Sequence, residues 1–368
     1  MSGKTLILVI DGFALDYITK ENTPNLFRLG QAGFYKKILS AIPSVTNVNH
    51  ASILSGSFPA NHGVVGNYYY ERESGEEGFI EASRHMKVPT ILDIYKKQGK
   101  STALLTVKGK VLEVFGDDVD LGINLQKPDP AILTKFNLET PPDVGSLETS
   151  AWILKACYHV LNTENPDLVY CTTNDYMMHN HTPDSAEAIE VMQAIDYWVG
   201  RIYDLDPDRE IYITADHGMG QKNRLIDLQK KLDAAGFRTF CLLPIKDRYL
   251  ENHIYQEGGA MYVHVLEESQ IPEVLAYLKA SDFLDAVYEK EAAADAFHLP
   301  VDGIGDIFVL CTKETAFGEL EQDELFVNTR THGSLHEREI PLFAVNAKKD
   351  EAFYSYSIDI VRGMLENG

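Results

Sequence analysis

Short unbroken apolar runs, each followed by a polar turn and then a stretch with helical spacing, set the rhythm of the first half of the chain. The first run is Thr5-Leu-Ile-Leu-Val-Ile10. Its continuity, in place of alternation, predicts a strand of a parallel sheet covered on both faces. Residues 101–107, 167–173 and 210–215 repeat the pattern. Between them lie helical stretches. One is opened by Asn22-Thr-Pro-Asn25, with Thr23 as N-cap and Pro24 in the first turn; another spans 185–203. Strands alternating with helices predict an α/β fold, a mostly parallel central sheet sandwiched by helices.

The rhythm changes after Asp216. Residues 225–235 have helical spacing, 260–266 alternate as an antiparallel strand does, and 271–280 are helical again. We assign 225–315 to an inserted α+β cap subdomain, and 1–224 with 316–368 to the catalytic core. Residues 113–144, rich in Asp and Pro, read as an irregular insertion. Residues 341–345 read as a last strand returning to the main sheet.

Composition narrows the function classes. Hydrophobic residues make up 45% of the 368 and charged residues 24%, as in ordinary globular proteins. The balance of 33 basic against 55 acidic residues gives −22. So negative a surface repels nucleic acid polymers and anionic membranes, so neither is expected as a partner. A small anionic substrate binds such a chain only where metal ions or focused lysines reverse the local sign. Cys157, Cys171, Cys241 and Cys311 form no C-x-x-C pair, which fits a reducing, cytoplasmic compartment. No run approaches the ~18 apolar residues of a membrane span. A homodimer is compatible with these numbers, which do not fix the state of assembly.

The chemistry collects where the strands end. Asp11 follows the first, Lys108 and Lys110 follow the run 101–107, Asp175 follows 167–173, and Asp216-His217 follow 210–215. Ligands of open α/β sheets bind outside the carboxyl ends of the strands. Asp11, Asp175, His179, Asp216, His217 and His332 are oxygen and nitrogen donors suited to zinc, and also to manganese or iron. Asp175 and His179 are four apart, so one helical turn puts both on one face. Six ligands exceed the needs of one tetrahedral ion and suit a pair clamping a phosphoryl group. Ser44 to Thr46 open a helix that Gly56 ends. A Thr46 hydroxyl there is either a cap or, with its pKa lowered by a metal, a nucleophile. The other histidines, at 50, 62, 85, 159, 181, 253, 264, 298 and 336, are taken as structural or surface, with His181 and His336 the candidate exceptions.

Read in order, Asp11-Gly12, Thr46, His62-Gly63 with Asn67, Asn174-Asp175 with His179, Thr214-Ala-Asp-His-Gly-Met219 and Thr331-His332-Gly333 resemble the alkaline phosphatase superfamily, in its nucleotide pyrophosphatase/phosphodiesterase-like branch. The resemblance implies two zinc ions. One would be held by Asp11, Asp216, His217 and the Thr46 oxygen, the other by Asp175, His179 and His332. It also implies a phospho-threonine at Thr46 and an Asn67 that holds a phosphoryl oxygen. Three further features look like phosphonoacetate hydrolases: Gly66-Asn-Tyr-Tyr69, Thr106-Val-Lys-Gly-Lys110, and Lys222 after the metal pair. Gly109 departs from that pattern, where an acidic residue is expected, and predicts a more mobile loop. The implied reaction cleaves the carbon–phosphorus bond of phosphonoacetate, with Lys108, Lys110 or Lys222 on the carboxylate. The rival is a nucleotide phosphodiesterase or pyrophosphatase using the same Thr46, with Tyr68, Tyr69 and Tyr70 as a slot for the base. A phosphomonoesterase, or a silent phosphonate-binding protein, would use the same groups.

Overall fold

The computed structural model describes residues 3–366. Its centre is a seven-stranded sheet in the order Phe34–Leu39, Glu339–Val345, Glu210–Thr214, Thr5–Val9, Leu168–Thr172, Thr102–Thr106, Leu121–Asn124. Only Glu339–Val345 runs against the rest. Four of the runs picked out by their continuity are central strands, buried along their whole length. Their apolar continuity has its physical cause here, because helices leave neither face to water. Pro24–Ala32 packs on Glu339–Val345, and Thr149–Thr163 on Thr102–Thr106 and Leu168–Thr172. The fold is therefore the α/β sandwich expected.

Several local expectations need correction. The segment 113–144 is not irregular: it contributes Leu121–Asn124, the outermost strand, and the helix Pro130–Lys135. Two glycine- and proline-bounded elements that short carry too little periodicity to be seen. Residues 225–235 split into the end of a strand, Gly220–Ile226, and a helix, Leu228–Ala234, capped by Asp227. Thr23 precedes the helix Pro24–Ala32, but its hydroxyl donates to the Thr19 carbonyl. The first amides are capped from elsewhere: the Asp196 carboxylate accepts from the N–H groups of Asn25 and Leu26 at 2.9 and 2.8 Å.

After Asp216 the chain builds a four-stranded antiparallel sheet, Thr239–Leu242, Ala260–Val265, Ile307–Cys311, Leu284–Glu289, with helices Ile271–Lys279 and Lys290–Phe297. A separate three-stranded sheet joins Gly220–Ile226 to Thr315–Phe317 and Glu324–Thr331. The limits 225 and 315 thus cut through two strands of this connecting sheet. Among the described residues no helix is long and apolar enough to cross a membrane.

Candidate active site and metal centre

The parallel strands deliver their carboxylates to one sheet edge. Asp11 stands two residues beyond Val9, Asp175 three beyond Thr172, and Asp216 two beyond Thr214, all fully buried. Gly12 has φ +71°, and a Cβ there would lie 2.9 Å from the Cβ of Asp175, so only glycine lets these two turns meet. His179 lies on the one-turn helix Tyr176–Asn180, and His332 follows the strand Glu324–Thr331. The donors fall into two groups: Asp175, His179, His253 and His332 in one, Asp11, Asp216 and His217 in the other. Within each group one ligand atom per residue lies within 4.8 Å of all the others. The His217 and His332 rings stack with centroids 3.4 Å apart, so the groups share a wall.

Hydrogen bonds orient the imidazoles. Nδ1 of His217 donates to the Gly218 carbonyl at 2.9 Å, that of His179 to Arg330 at 2.7 Å, and that of His332 to Ser44 at 2.7 Å. For His217 and His332 this leaves Nε2 as a lone pair facing the carboxylates, the tautomer a metal ligand needs, while Nε2 of His179 meets Asp175 Oδ2 at 3.1 Å. Asp11 Oδ1, Asp216 Oδ2 and His332 Nε2 are buried without a hydrogen-bond partner. Burial, reinforced by Asp175 and Asp216, raises the Asp11 carboxyl well above its ordinary value. Burial likewise raises Asp216 to about 6 and lowers His217 and His332. Crowded carboxylates beside the His217 and His332 imidazoles with free lone pairs are the donor chemistry of a metal-binding site.

Thr46 begins the helix Thr46–Ser55, buried, with Oγ1 3.4 Å from Nε2 of His217. The N-cap position is Val45, so Thr46 is not the cap, and its hydroxyl is directed at His217 of the Asp11 group. The next amide, Asn47 N–H, donates to Asn67 Oδ1 at 2.9 Å. Asn67 Nδ2 in turn donates to the Ile245 carbonyl at 3.1 Å and to Asp247 Oδ2 at 3.2 Å.

Of the three lysines the structure brings two to the site. Lys108 Nζ lies 2.9 Å from Asp11 Oδ2 and 2.7 Å from Asp175 Oδ1. Lys110, equally buried, pairs with Asp247. Gly109 does not loosen the turn. It starts the helix Gly109–Phe115, its N–H donates to Gln126 Oε1 at 2.7 Å, and a Cβ would strike Asn124 at 2.7 Å. Lys222 is a correction: its ammonium is bound by Glu337 and the Lys313 carbonyl, both at 2.8 Å, away from the metal groups. Glu337 also accepts from the Ser334 amide and hydroxyl, so the pair props the turn behind His332.

Lys222→Met should therefore cost stability, about 3–5 kcal/mol for a buried carboxylate left alone, and leave substrate preference as it was. Burial pushes the Glu337 carboxyl up, but Lys222 outweighs it and holds the group below 4.5. The pair's contribution is present above that pH and lost as pH falls through the folded value. Thermal melts from pH 3 to 8 check this; a melting point equal to wild type at pH 7 would refute it.

Other sequence readings fare differently. His253, by sequence one of the structural histidines, joins the Asp175 group, its ring 4.4 Å from that of His179. Asn252 Nδ2 donates to Asp175 Oδ1 at 2.7 Å. Both ride on an irregular segment with no periodicity to mark them. His336 pairs instead with Asp285, and His181 lies 3.7 Å from Glu187. Tyr68, Tyr69 and Tyr70 pack against Phe79, His85 and Phe240 respectively; Tyr69 and Tyr70 line one cavity, with Arg72 and His264, and Tyr68 does not.

A family model described as type I phosphodiesterase / nucleotide pyrophosphatase matches residues 5–336. An uncharacterised pyrophosphatase/phosphodiesterase of Schizosaccharomyces pombe is 25% identical over 232 residues, 60% of this chain and 46% of that protein. Mouse ectonucleotide pyrophosphatase/phosphodiesterase family member 7 is 25% identical over 312 residues, 80% of this chain and 66% of its own length. The chain thus spans about half to two-thirds of these relatives. Among solved structures, phosphonoacetate hydrolase from Sinorhizobium meliloti 1021, in complex with phosphonoacetate, superposes with a TM-score of 0.87 at 28% identity, covering 97% of this chain and 94% of that one. Murine ectonucleotide pyrophosphatase/phosphodiesterase 5 superposes at 0.71 with 18% identity, over 99% of this chain and 94% of that one, a likeness of fold.

Proposed function

The chain belongs to the type I phosphodiesterase / nucleotide pyrophosphatase family, and within it we propose that it is a metal-dependent hydrolase cleaving phosphonoacetate to acetate and phosphate. The observation that carries this reading is the pair of buried ammonium groups, Lys108 beside Asp11 and Asp175 of the two donor groups and Lys110 beside Asp247. Each ammonium has three N–H donors and keeps at least one beyond its carboxylate partners, and a phosphodiester offers no carboxylate for it to hold. The likeness to the Sinorhizobium meliloti enzyme supports the same assignment.

Asp11, Asp216, His217 and the Thr46 oxygen would hold one cation; Asp175, His179 and His332 would hold the other. Bound there, two divalent ions (zinc by preference, manganese or iron by donor type) would neutralise phosphoryl oxygens and lower the pKa of the Thr46 hydroxyl. Thr46 Oγ1 attacks phosphorus; the new P–O bond forms as the C–P bond breaks. The electron pair moves to the methylene carbon and spreads onto the carboxylate. Lys108 and Lys110 would hold those oxygens, and the proton released by the Thr46 hydroxyl, returned through solvent, protonates the carbon to give acetate. Water then cleaves the phospho-threonine to phosphate. Asn67 would position a phosphoryl oxygen by sharing with it the Nδ2 hydrogen that Asp247 accepts, the other going to Ile245. The unpaired cysteines support a reducing, cytoplasmic setting.

The test is phosphate release from phosphonoacetate by zinc-loaded protein, beside an aryl phosphodiester and a chelator control. Release that is chelator-sensitive and faster than diester cleavage is expected. Lys108→Ala and Lys110→Ala should each lower phosphonoacetate turnover by about 10²–10³, and diester turnover far less. Equal losses on both substrates would overturn the assignment. The family's own relatives favour a second reading, nucleotide ester cleavage with the same Thr46. Diester cleavage with phosphonoacetate ignored would establish that one.

A further inference from the structure

Asp247 has no part in the reaction above, yet it touches both ends of the substrate site. The residue is 5% exposed. A single oxygen, Oδ2, accepts from Asn67 Nδ2 at 3.2 Å and pairs with Lys110 Nζ. These are the donors assigned to the phosphoryl group and to the carboxylate of the substrate. Two donors on one oxygen are at most two hydrogen-bond lengths apart, about 6 Å. The carboxylate fixing that distance is itself fixed. Oδ1 accepts from the Arg248 N–H at 2.7 Å, and the Gln256 amide clasps the Asp247 backbone at both its N–H, 2.7 Å, and its carbonyl, 2.8 Å. Tyr249, two residues on, lays its ring 5.9 Å from the Lys108 ammonium and 5.5 Å from that of Lys110. Its hydroxyl donates to Gln126, which also holds Gly109.

A buried negative charge beside an anion site weakens anion binding in general. Its use lies in geometry. We propose that Asp247 is a positioning residue that sets the span between the phosphoryl-holding amide of Asn67 and the carboxylate-holding ammonium of Lys110, and so selects phosphonates whose carboxylate is one carbon from phosphorus. This rests on the function proposed above. A purely structural partner for Lys110 would lower stability and every activity together. A span-setting residue changes which length of ligand is preferred.

The experiment uses the full-length, zinc-loaded protein and an aryl phosphate ester as reporter. Phosphonoformate, phosphonoacetate and 3-phosphonopropionate, with zero, one and two methylenes, are compared as competitive inhibitors. Wild type should favour phosphonoacetate over 3-phosphonopropionate by about tenfold or more, the range one methylene commands in a fitted site. Asp247→Ala should level the series to within about threefold. Asp247→Glu, one methylene longer, should shift the preference toward a different length. Asp247→Asn, which keeps an oxygen for Asn67 and removes the charge that holds Lys110, serves if the alanine variant does not fold, and should narrow the preference likewise. Variants that keep the wild-type order and spread overturn the inference alone. A wild type that cleaves the reporter without length preference overturns the phosphonoacetate reading and this inference with it.

Discussion

Thr46→Ala should lower turnover of phosphonoacetate by at least about 10⁴-fold, the scale on which loss of a nucleophile removes catalysis, while the protein keeps its metal content. The reasoning is geometric. Thr46 Oγ1 is buried 3.4 Å from His217 Nε2, and the N-cap position of its helix is held by Val45. A hydroxyl kept only as an N-cap would accept from the helix's first amides, and its loss would cost about 1 kcal/mol of stability and little activity. Here the helix keeps its other anchors without the hydroxyl. Asn67 Oδ1 takes the Asn47 N–H, and Asn49 Oδ1 holds the Ala41 amide. Activity and stability should therefore separate: near-wild-type melting, wild-type zinc stoichiometry, no turnover. Thr46→Ser retains an oxygen in reach and should recover a measurable fraction. An alanine variant with more than a tenth of the wild-type rate would remove Thr46 from the reaction and leave a water molecule as the attacking group.

What made this site readable was its attachment to regular elements. Asp11, Asp175 and Asp216 lie within three residues of strands whose unbroken apolar runs announce themselves, and His179 is one helical turn from Asp175. A strand end fixes where its next side chain goes, so the sequence position is already a statement about space. Lys222 shows the limit of that inference. It stands on the strand Gly220–Ile226, within range of the metal pair in sequence, but the strand carries it away to Glu337. The two residues lie 115 positions apart, and no local signal joins them. His253, Asn252 and Asp247 fail for the opposite reason. They come to the site on a segment without secondary structure, whose course is set by Gln256 against Asp247 and by Asn252 against Asp175. Such contacts exist only after the whole chain has folded. The outermost strand, Leu121–Asn124, was hidden by brevity. Four residues with two of them half-exposed give neither a run nor an alternation.

Stripping the metals should abolish turnover and lower the melting temperature by about 5–10 °C, as expected for a ligand present near 1,000 times its Kd. The pH dependence of that difference is the more telling result. In the absence of cations Asp11, Asp175 and Asp216 face one another in a site that water does not reach. Burial raises Asp11 well above its ordinary value and Asp216 to about 6. Asp175 goes the other way: burial would raise it, but Lys108 and His179 outweigh that and hold it low. One carboxylate is thus kept charged by its lysine while two gain protons easily. A group whose pKa is raised on folding stabilises fully below its unfolded value, and that contribution is lost as pH rises through the folded one. The stripped protein should therefore lose stability as pH rises toward and through the Asp216 value of about 6, and further as the raised Asp11 carboxyl ionises without a partner. In the loaded protein the cations replace those protons, and the loss does not occur. The gap in melting temperature between loaded and stripped protein should widen as pH rises from 5 to 7. Differential scanning calorimetry of both forms over that range measures it directly. A gap that is constant, or that narrows toward pH 7, would mean that Asp11 and Asp216 are not the residues that surrender protons to the metal.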